Sequence, residues 1–222
     1  MATKNLQKEE KLTSEQKMIN SVSNFFVKNR ILVVVIAAVV IVGIIAGILA
    51  VKISTNAKEK AQLKVAELEQ RFSDLLIEET PDWASLISDL NANIKGSTYL
   101  SVKSAYILGL VYYEQNDLAS AQAAFERAYN LNTKIYLAPL ALVNMATCAD
   151  EQGDEAKALE IYNQIYNEYP ESGVAAKALF NAARIYYQQG NTQLAQASFA
   201  QVASYYPNSE YGKLAQNLAN VL

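Results

Sequence analysis

The stretch that decides the fold is residues 105–128, AYILGLVYYEQNDLASAQAAFERA, because its pattern recurs twice further along the chain. The copies occupy residues 142–165 and 179–202, so the period is 37 residues. In each copy, small and aromatic residues recur at spacings of three and four on both sides of a polar turn. This spacing is the period of an α-helix. The repeat therefore predicts consecutive pairs of helices stacked along the chain.

Small and aromatic columns of the repeat indicate how each helix pair packs. Small residues let two helix axes approach closely, and an aromatic residue four positions later fills the gap beside the crossing. The small columns are Gly109, Ala146, Ala183 and Ala121, Ala158, Ala195, and the aromatic column is Phe125, Tyr162, Phe199. The turn column is Asn116-Asp117, Gly153-Asp154 and Gly190-Asn191. Gly, Asn and Asp are common at such turns.

Prolines predict the ends of the repeats, because proline cannot continue a helix. Pro170 and Pro207 follow tyrosines at equivalent positions of two linkers. Ser172 and Ser209 come two residues later and are expected to cap the next helices, since serine is a favoured N-cap residue. The interpretation divides the chain into helix pairs at about 98–133, 137–170 and 174–207, with a capping helix at 209–222.

These columns resemble the tetratricopeptide repeat. The order Ala105-x-x-Leu108-Gly109-x-x-Tyr112, followed by Ala121-x-x-x-Phe125 and Ala128, is similar to the family pattern. The leading Trp of that pattern is replaced by Ala105, Leu142 and Leu179, and the period is 37 instead of about 34. The resemblance, over residues 98–207, implies an all-α solenoid of helix pairs that binds a protein or peptide.

A degenerate first pair is predicted ahead of the clear repeats, at residues 55–95. Residues 55–79 read as a long helix, and Thr80 is expected to cap a second helix that starts at Pro81, where proline is tolerated. The repeat domain predicted in this way spans residues 55–222. Stacked repeats form one continuous core, so a single domain is expected.

Residues 31–51, ILVVVIAAVVIVGIIAGILAV, form an uncharged run of 21 residues. As a helix the run is about 31 Å long, which matches a hydrocarbon core of about 30 Å. Neither a cleavage site nor a lipid-attachment cysteine follows it, so an uncleaved signal anchor of a bacterial inner membrane is predicted. Lysines flank both ends and give almost no orientation bias. The short tail, residues 1–30, and the large C-terminal domain favour a cytoplasmic N-terminus and an extracytoplasmic body.

Gly43 and Gly47 lie four residues apart within this run. A GxxxG pair can let two membrane helices pack closely, which would give a homodimer through the anchor. Glycine is also common in membrane helices, so the spacing has an accidental explanation as well.

The side-chain inventory and the charges exclude several function classes. The chain has no His, and Cys148 is its only cysteine, so His-based catalysis and Cys or His metal clusters are excluded. No enzyme motif is found, and neither a cofactor nor a metal is expected. Residues 1–30 carry a net charge of about +3, but the body from Ile53 carries 12 Lys/Arg and 19 Asp/Glu. An acidic body disfavours nucleic-acid binding.

Projection of the first helix of each pair onto the concave groove gives the candidate protein-binding residues. One repeat offers Tyr106, Leu110 and Tyr113, the next Val143, Thr147 and Asp150, and the last Phe180, Arg184 and Tyr187. The groove is expected to be aromatic and mostly uncharged. Tyrosine is favoured in binding surfaces, although packing between stacked repeats would explain the same residues.

Family members that bind chaperone tails hold a terminal carboxylate between Lys and Asn side chains. Only Asn144 and Lys177 match that arrangement, because Tyr106 and Leu110 stand where the first Lys and Asn would lie. An apolar or extended peptide segment is therefore the expected ligand.

The order of segments also resembles the YfgM-type ancillary subunits of the bacterial Sec translocon. The shared layout is a charged tail with Phe25-Phe26-x-Lys28-Asn29, one anchor, a long helix and exported repeats. That resemblance implies a membrane-anchored periplasmic chaperone and the translocon as partners. The Tyr-Pro-x-Ser linkers are also similar to envelope-assembly proteins of the YbgF and BamD kind, which are usually secreted or lipidated. Two classes of function stay open: a protein-binding adaptor, and a self-assembling structural membrane protein.

Overall fold

The computed structural model of the chain describes residues 13–222, and these residues form ten α-helices and no strand. In chain order the helices are α1 (Ser14–Lys28), α2 (Arg30–Leu75), α3 (Trp83–Asn93), α4 (Tyr99–Glu114), α5 (Leu118–Leu131), α6 (Leu137–Glu151), α7 (Glu155–Glu168), α8 (Ala175–Gln188), α9 (Thr192–Tyr205) and α10 (Glu210–Val221). Consecutive helices from α3 to α10 pack on one another. The predicted all-α repeat fold is confirmed.

The turn inside each clear repeat has the same geometry. Asn116, Gly153 and Gly190 adopt φ values of 58°, 81° and 74°, the left-handed region that glycine and asparagine tolerate best. The residue after each of them caps the next helix with its side chain. Asp117 accepts from the Ser120 amide at 3.1 Å, and Asp154 accepts from the Lys157 amide at 3.0 Å. The turn column therefore combines a chain reversal with an N-cap.

The crossing of α4 and α5 is as tight as the small column predicts. A Cβ atom at Gly109 would lie 2.6 Å from the Phe125 ring, which is closer than two carbon atoms can approach. Phe125 and its equivalents Tyr162 and Phe199 are at most 2% exposed. Each aromatic ring therefore fills the space that the small residue leaves open.

Helix caps were predicted correctly at one linker and wrongly at two other positions. Ser209 accepts from the Gly212 amide at 2.9 Å, as expected. Ser172 caps no helix, because α8 begins only at Ala175 and the Ser172 carbonyl accepts from the Ala175 amide in a turn instead. Thr80 is not the cap of α3 either. Asp82 takes that role by accepting from the Ser85 amide, and the helix begins after Pro81.

Helix α2 is longer than the predicted pieces and joins them without a break. Residues 52–55 contain neither proline nor glycine, and the Thr55 hydroxyl donates to the Lys52 carbonyl at 2.9 Å inside the helix. The helix ends at Leu75, earlier than the predicted residue 79. The chain divides into two units between Lys58 and Glu59, so the boundary falls within this helix.

In the first unit, residues 31–51 form the part of α2 that is long and apolar enough to cross a membrane. None of its apolar stretch is buried within the structure. Ile31 is 75% exposed and Ile48 is 62% exposed.

In the second unit, the last turns of α2 pack on α3 and begin the core of the repeats. Leu68, Leu86 and Leu90 are fully buried in one cluster with Val102 of α4. Arg71 forms an ion pair with Asp89, and the rings of Phe72 and Trp83 lie 6.0 Å apart. Two further clusters continue the core through the later repeats to Leu222.

Candidate protein-binding surfaces

The first helices of the three clear repeats carry the nine candidate groove residues at equivalent positions, and these differ widely in exposure. Val143 is 3% exposed, so its side chain belongs to the core and is unavailable to a ligand. Tyr187 is the most open, at 53%. The remaining seven are half-buried: Tyr106, Leu110, Tyr113, Thr147, Asp150, Phe180 and Arg184.

Several of these side chains pack against other helices: Tyr106 reaches the neighbouring repeat, and Tyr106 and Phe180 also pack within their own repeats. The Asn144 side-chain amide donates to the Tyr106 hydroxyl at 2.9 Å. The Tyr106 ring also packs edge-on against Phe125 with 5.6 Å between centroids, and burial raises the pKa of its hydroxyl. Phe180 packs against Phe199 at 5.2 Å. These rings therefore contribute to helix packing, in addition to any role in the binding groove.

Polar contacts near the C-terminal ends of the first helices join the first helix of one repeat to the first helix of the next. The Tyr113 hydroxyl donates to Glu151 Oε1 at 2.6 Å. This hydrogen bond to a carboxylate, together with burial, raises the pKa of Tyr113 to about 12. Arg184 forms an ion pair with Asp150 across the following interface. The two contacts join α4 to α6 and α6 to α8 along the same edge.

A pocket of about 250 Å³ opens between these first helices. It contains three of the predicted residues, Leu110, Tyr113 and Thr147, and four others: Glu114, Phe125, Asn144 and Lys177. Lys177 makes no ion pair with any residue that the structure describes. Its lining combines apolar side chains with the Glu114 carboxylate, the Lys177 ammonium group and the Asn144 amide, which suits a peptide segment that presents both a side chain and backbone polar groups.

The sequence interpretation missed a larger cleft at the linker edge of the solenoid. This cleft has a volume of about 620 Å³. Its lining residues come from two stretches, within 133–140 and 168–174, and include the apolar side chains of Ile135, Tyr136, Pro139, Leu140, Pro170 and Val174. The Tyr-Pro column was the only sequence pattern at this cleft. It indicated where helices end but could not show that successive linkers lie close enough to form a cleft.

The linker tyrosines fix the walls of this cleft. The Tyr169 hydroxyl donates to the Thr133 carbonyl at 2.9 Å, and the Tyr206 hydroxyl donates to the Pro170 carbonyl at 3.0 Å. Each bond spans 36 residues, and the two bonds lie one 37-residue repeat apart, so the same contact recurs at successive linkers. We call these two bonds the linker staples.

No chemistry beyond binding is indicated by the residues that the structure describes. They contain no group of three or more His, Cys, Asp or Glu residues that could hold a metal ion. Cys148 is fully buried, and burial raises the pKa of its thiol to about 11, so the thiolate nucleophile is scarce at neutral pH.

The predicted anchor-packing residues, Gly43 and Gly47, lie on an open part of α2. A Cβ atom added at either glycine would meet nothing within 4 Å. That surface has room for a second helix.

Stacked pairs of antiparallel helices with a repeated small–aromatic crossing define the chain as an α-solenoid protein. Two sequence models of the tetratricopeptide repeat match it, over residues 106–173 and 151–218. Residues 106–218 therefore belong to the tetratricopeptide-repeat family, whose members are generally non-enzymatic protein-interaction scaffolds. No curated protein matches the chain.

Solved structures agree on the fold. A tetratricopeptide repeat protein from Parabacteroides merdae is 24% identical with a TM-score of 0.53, and the match covers 70% of this chain and 59% of that one. A putative kinesin light chain from Podosopora anserina with nearly identical TPR-like repeats is 15% identical with a TM-score of 0.50. That match covers 73% of this chain and 77% of the other. The likeness establishes the shared architecture.

Proposed function

We propose that this chain is a membrane-anchored scaffold whose repeat domain binds a protein partner on the extracytoplasmic side. It serves as an adaptor for a translocon-associated chaperone or for an envelope-assembly protein. The observation that carries the anchor is the exposed apolar stretch of α2. A soluble protein that exposed 21 consecutive uncharged residues would aggregate, whereas a lipid bilayer covers this surface.

The pocket between α4, α6 and α8 is the first candidate for the partner site. It joins ring and aliphatic surface from Leu110 and Tyr113 to the ammonium group of Lys177 and the amide of Asn144. Because part of the groove is already filled by contacts between repeats, the partner engages this pocket and the open ring of Tyr187. An extended peptide segment has the chemistry to do so, with one apolar side chain and its own carbonyl groups.

Topology is tested with the full chain in its membrane. Protease added outside the cytoplasmic membrane is expected to digest the repeat domain and to spare the tail before the span. A mature protein that lacks the first fifty or so residues would overturn the anchor. Digestion of the tail alone would reverse the orientation.

The partner site is tested by affinity purification from detergent-solubilised membranes, with mass spectrometry of the recovered proteins. Lys177→Gln removes the charge at nearly constant size, and Lys213→Gln on the exposed part of α10 is the matched control. We expect partner recovery to fall with Lys177→Gln and with Tyr187→Ala, and to persist with the control.

A third variant separates the two surfaces. Tyr136 is 62% exposed and lines the linker cleft, so Tyr136→Ala alters that cleft and leaves the pocket intact. Loss of the partner with this variant, combined with full recovery for Lys177→Gln and Tyr187→Ala, would transfer the site to the linker edge.

The GxxxG spacing of Gly43 and Gly47 supports a second candidate function, self-assembly through the anchor. Close helix packing in membranes uses small residues at this spacing. Crosslinking in membranes separates the candidates: adducts with other proteins support the adaptor. A ladder of homo-oligomers that Gly43→Leu/Gly47→Leu abolishes would support self-assembly instead.

A further inference from the structure

Helix α1 has an apolar face that the membrane span and the repeats leave unexplained. With 100° between successive residues, Met18, Ile19 and Val22 lie within an arc of about 100° on one side of the helix. Their side chains are 66%, 62% and 50% exposed. Asn20, Ser23 and Asn24 occupy the opposite side. Val27, 70% exposed, is a large apolar residue off this face.

Both ends of α1 are defined by specific hydrogen bonds, so the helix is a distinct element and not an extension of α2. At its start, Gln16 and Thr13 form a reciprocal capping box, in which the Thr13 amide donates to Gln16 Oε1 at 2.9 Å. At its end, the Asn29 side chain donates to the Phe25 carbonyl at 2.9 Å. Asn29 has left the helical conformation, with φ −111° and ψ 26°. The next residue, Arg30, begins α2.

The charges of α1 lie on both sides of the helix. Lys17 and Lys28 lie about 20° apart around the helix axis on the polar side, beside Asn24, whereas Glu15, in the first turn, falls within the apolar arc. Arg30 follows at the start of the apolar run. Lysines on the polar side of an interfacial helix can extend toward lipid headgroups. A bilayer with anionic lipids therefore offers both an apolar layer and a complementary charge.

We propose that α1 lies in the headgroup region of the bilayer, with Met18, Ile19 and Val22 inserted among the acyl chains. This proposal rests on the membrane anchor proposed above, because the position of α1 directly before the span brings it to the bilayer surface. Fifteen residues give the helix a length of about 22 Å, enough for four turns in contact with lipid. Interfacial helices of this kind combine an apolar face with basic residues on the polar face.

The test uses the full chain in nanodiscs of phosphatidylethanolamine and phosphatidylglycerol, where reagents reach both faces of the bilayer. Cys148 is first replaced by Ala, and a nitroxide is attached to Val22→Cys, Asn24→Cys or Val40→Cys. Electron paramagnetic resonance then measures accessibility to oxygen, which concentrates in lipid, and to a nickel chelate, which stays in water. Circular dichroism of each variant checks that the helical content is unchanged.

We expect a several-fold higher ratio of oxygen to nickel accessibility at position 22 than at position 24, with the highest ratio at position 40. Exchange of phosphatidylglycerol for phosphatidylcholine should reduce the difference between positions 22 and 24, and Lys17→Gln/Lys28→Gln should do the same. The difference would then follow the charge of the lipid.

Three results would overturn the proposal, and they are distinguishable. A lipid signal at position 40 with equal water exposure at positions 22 and 24 refutes the interfacial helix and leaves the anchor intact. Water exposure at position 40 refutes the anchor and, with it, the interfacial helix. Spin–spin broadening at position 22 would show that the apolar face pairs with a second copy of the chain.

Discussion

Gly109 shows how a single missing methyl group sets the distance between two helices. A Cβ atom at this position would lie 2.6 Å from the Phe125 ring, and Phe125 itself is 1% exposed. Gly173 provides the contrast, since a Cβ atom there would meet nothing within 4 Å. The two glycines therefore differ in packing, although each is a glycine in the repeat domain.

Gly109→Ala is expected to lower the free energy of unfolding of the repeat domain by about 1–3 kcal/mol, the usual cost of overpacking a core. Gly173→Ala is the matched control and should change it little. Thermal or urea unfolding measures both. Combination with Phe125→Leu should recover part of the loss, because the smaller side chain gives the new methyl group room. Equal stability of the two glycine variants would contradict the crossing geometry.

Tyr113 gives the repeat domain a specific dependence on alkaline pH. Its pKa is raised to about 12 from an ordinary value near 10, chiefly by the hydrogen bond to Glu151. A raised folded-state pKa means that the neutral hydroxyl stabilises the fold. This contribution is complete below pH 10 and is lost as the pH rises through about 12.

We expect the stability of the wild-type domain to fall more steeply between about pH 10 and 12 than that of Tyr113→Phe. Urea unfolding at several pH values measures this slope. All other titratable groups are present in both proteins, so only the difference between the two slopes is diagnostic. Parallel slopes would mean that the bond to Glu151 does not persist in solution.

At the scale of the helices, the sequence predicted what depends on neighbours within one repeat. The turn column predicted the chain reversals at Gly153 and Gly190, and the small column predicted the close approach of Gly109 and Phe125. Features that depend on two repeats were missed. Val143 is buried because α6 lies between two other helix pairs, and the linker cleft exists because chain segments about 35 residues apart lie side by side.

Local alternatives explain the remaining errors. Asp82 and Thr80 are both suitable caps, and only the backbone path after Pro81 selects between them. Ser172 and Ser209 occupy equivalent positions, yet Ser172 precedes Gly173-Val174 and a turn, whereas helix α10 begins directly after Ser209.

The linker staples make a prediction at the same scale. Tyr169→Phe and Tyr206→Phe each remove a hydroxyl that donates to a carbonyl of the preceding linker, at a cost of about 1 kcal/mol each. Tyr187→Phe is the control, because its hydroxyl makes no hydrogen bond to the residues that the structure describes. Thermal unfolding compares the three. If Tyr187→Phe lowers the stability as much as Tyr169→Phe and Tyr206→Phe do, the linker hydrogen bonds do not stabilise the domain specifically.

For the whole molecule, the division between Lys58 and Glu59 separates a unit stabilised by its own buried core from a unit whose apolar surface is exposed. Residues 59–222 contain three buried clusters that share helices from one repeat to the next. Residues 31–51 contain no buried stretch and depend on a bilayer in the proposed function. The acidic charge of the body adds solubility.

Residues 59–222 expressed alone are therefore expected to stay soluble without detergent and to unfold in one cooperative transition. The full chain should require detergent or lipid. Size-exclusion chromatography and circular dichroism measure the two properties. A shortened protein that aggregates, or that melts without cooperativity, would show that the first unit is needed for folding.

The rate at which a reagent modifies the sole thiol of the chain can report the opening of the middle repeat. Cys148 lies fully buried in α6, where a disulfide reagent cannot reach it while both neighbouring repeats are in place. Its rate of modification then reports how often the solenoid separates at its centre, independently of fraying at either end. Saturation of the proposed pocket by a partner peptide would lower this modification rate, so binding could be detected without attaching a label to the protein.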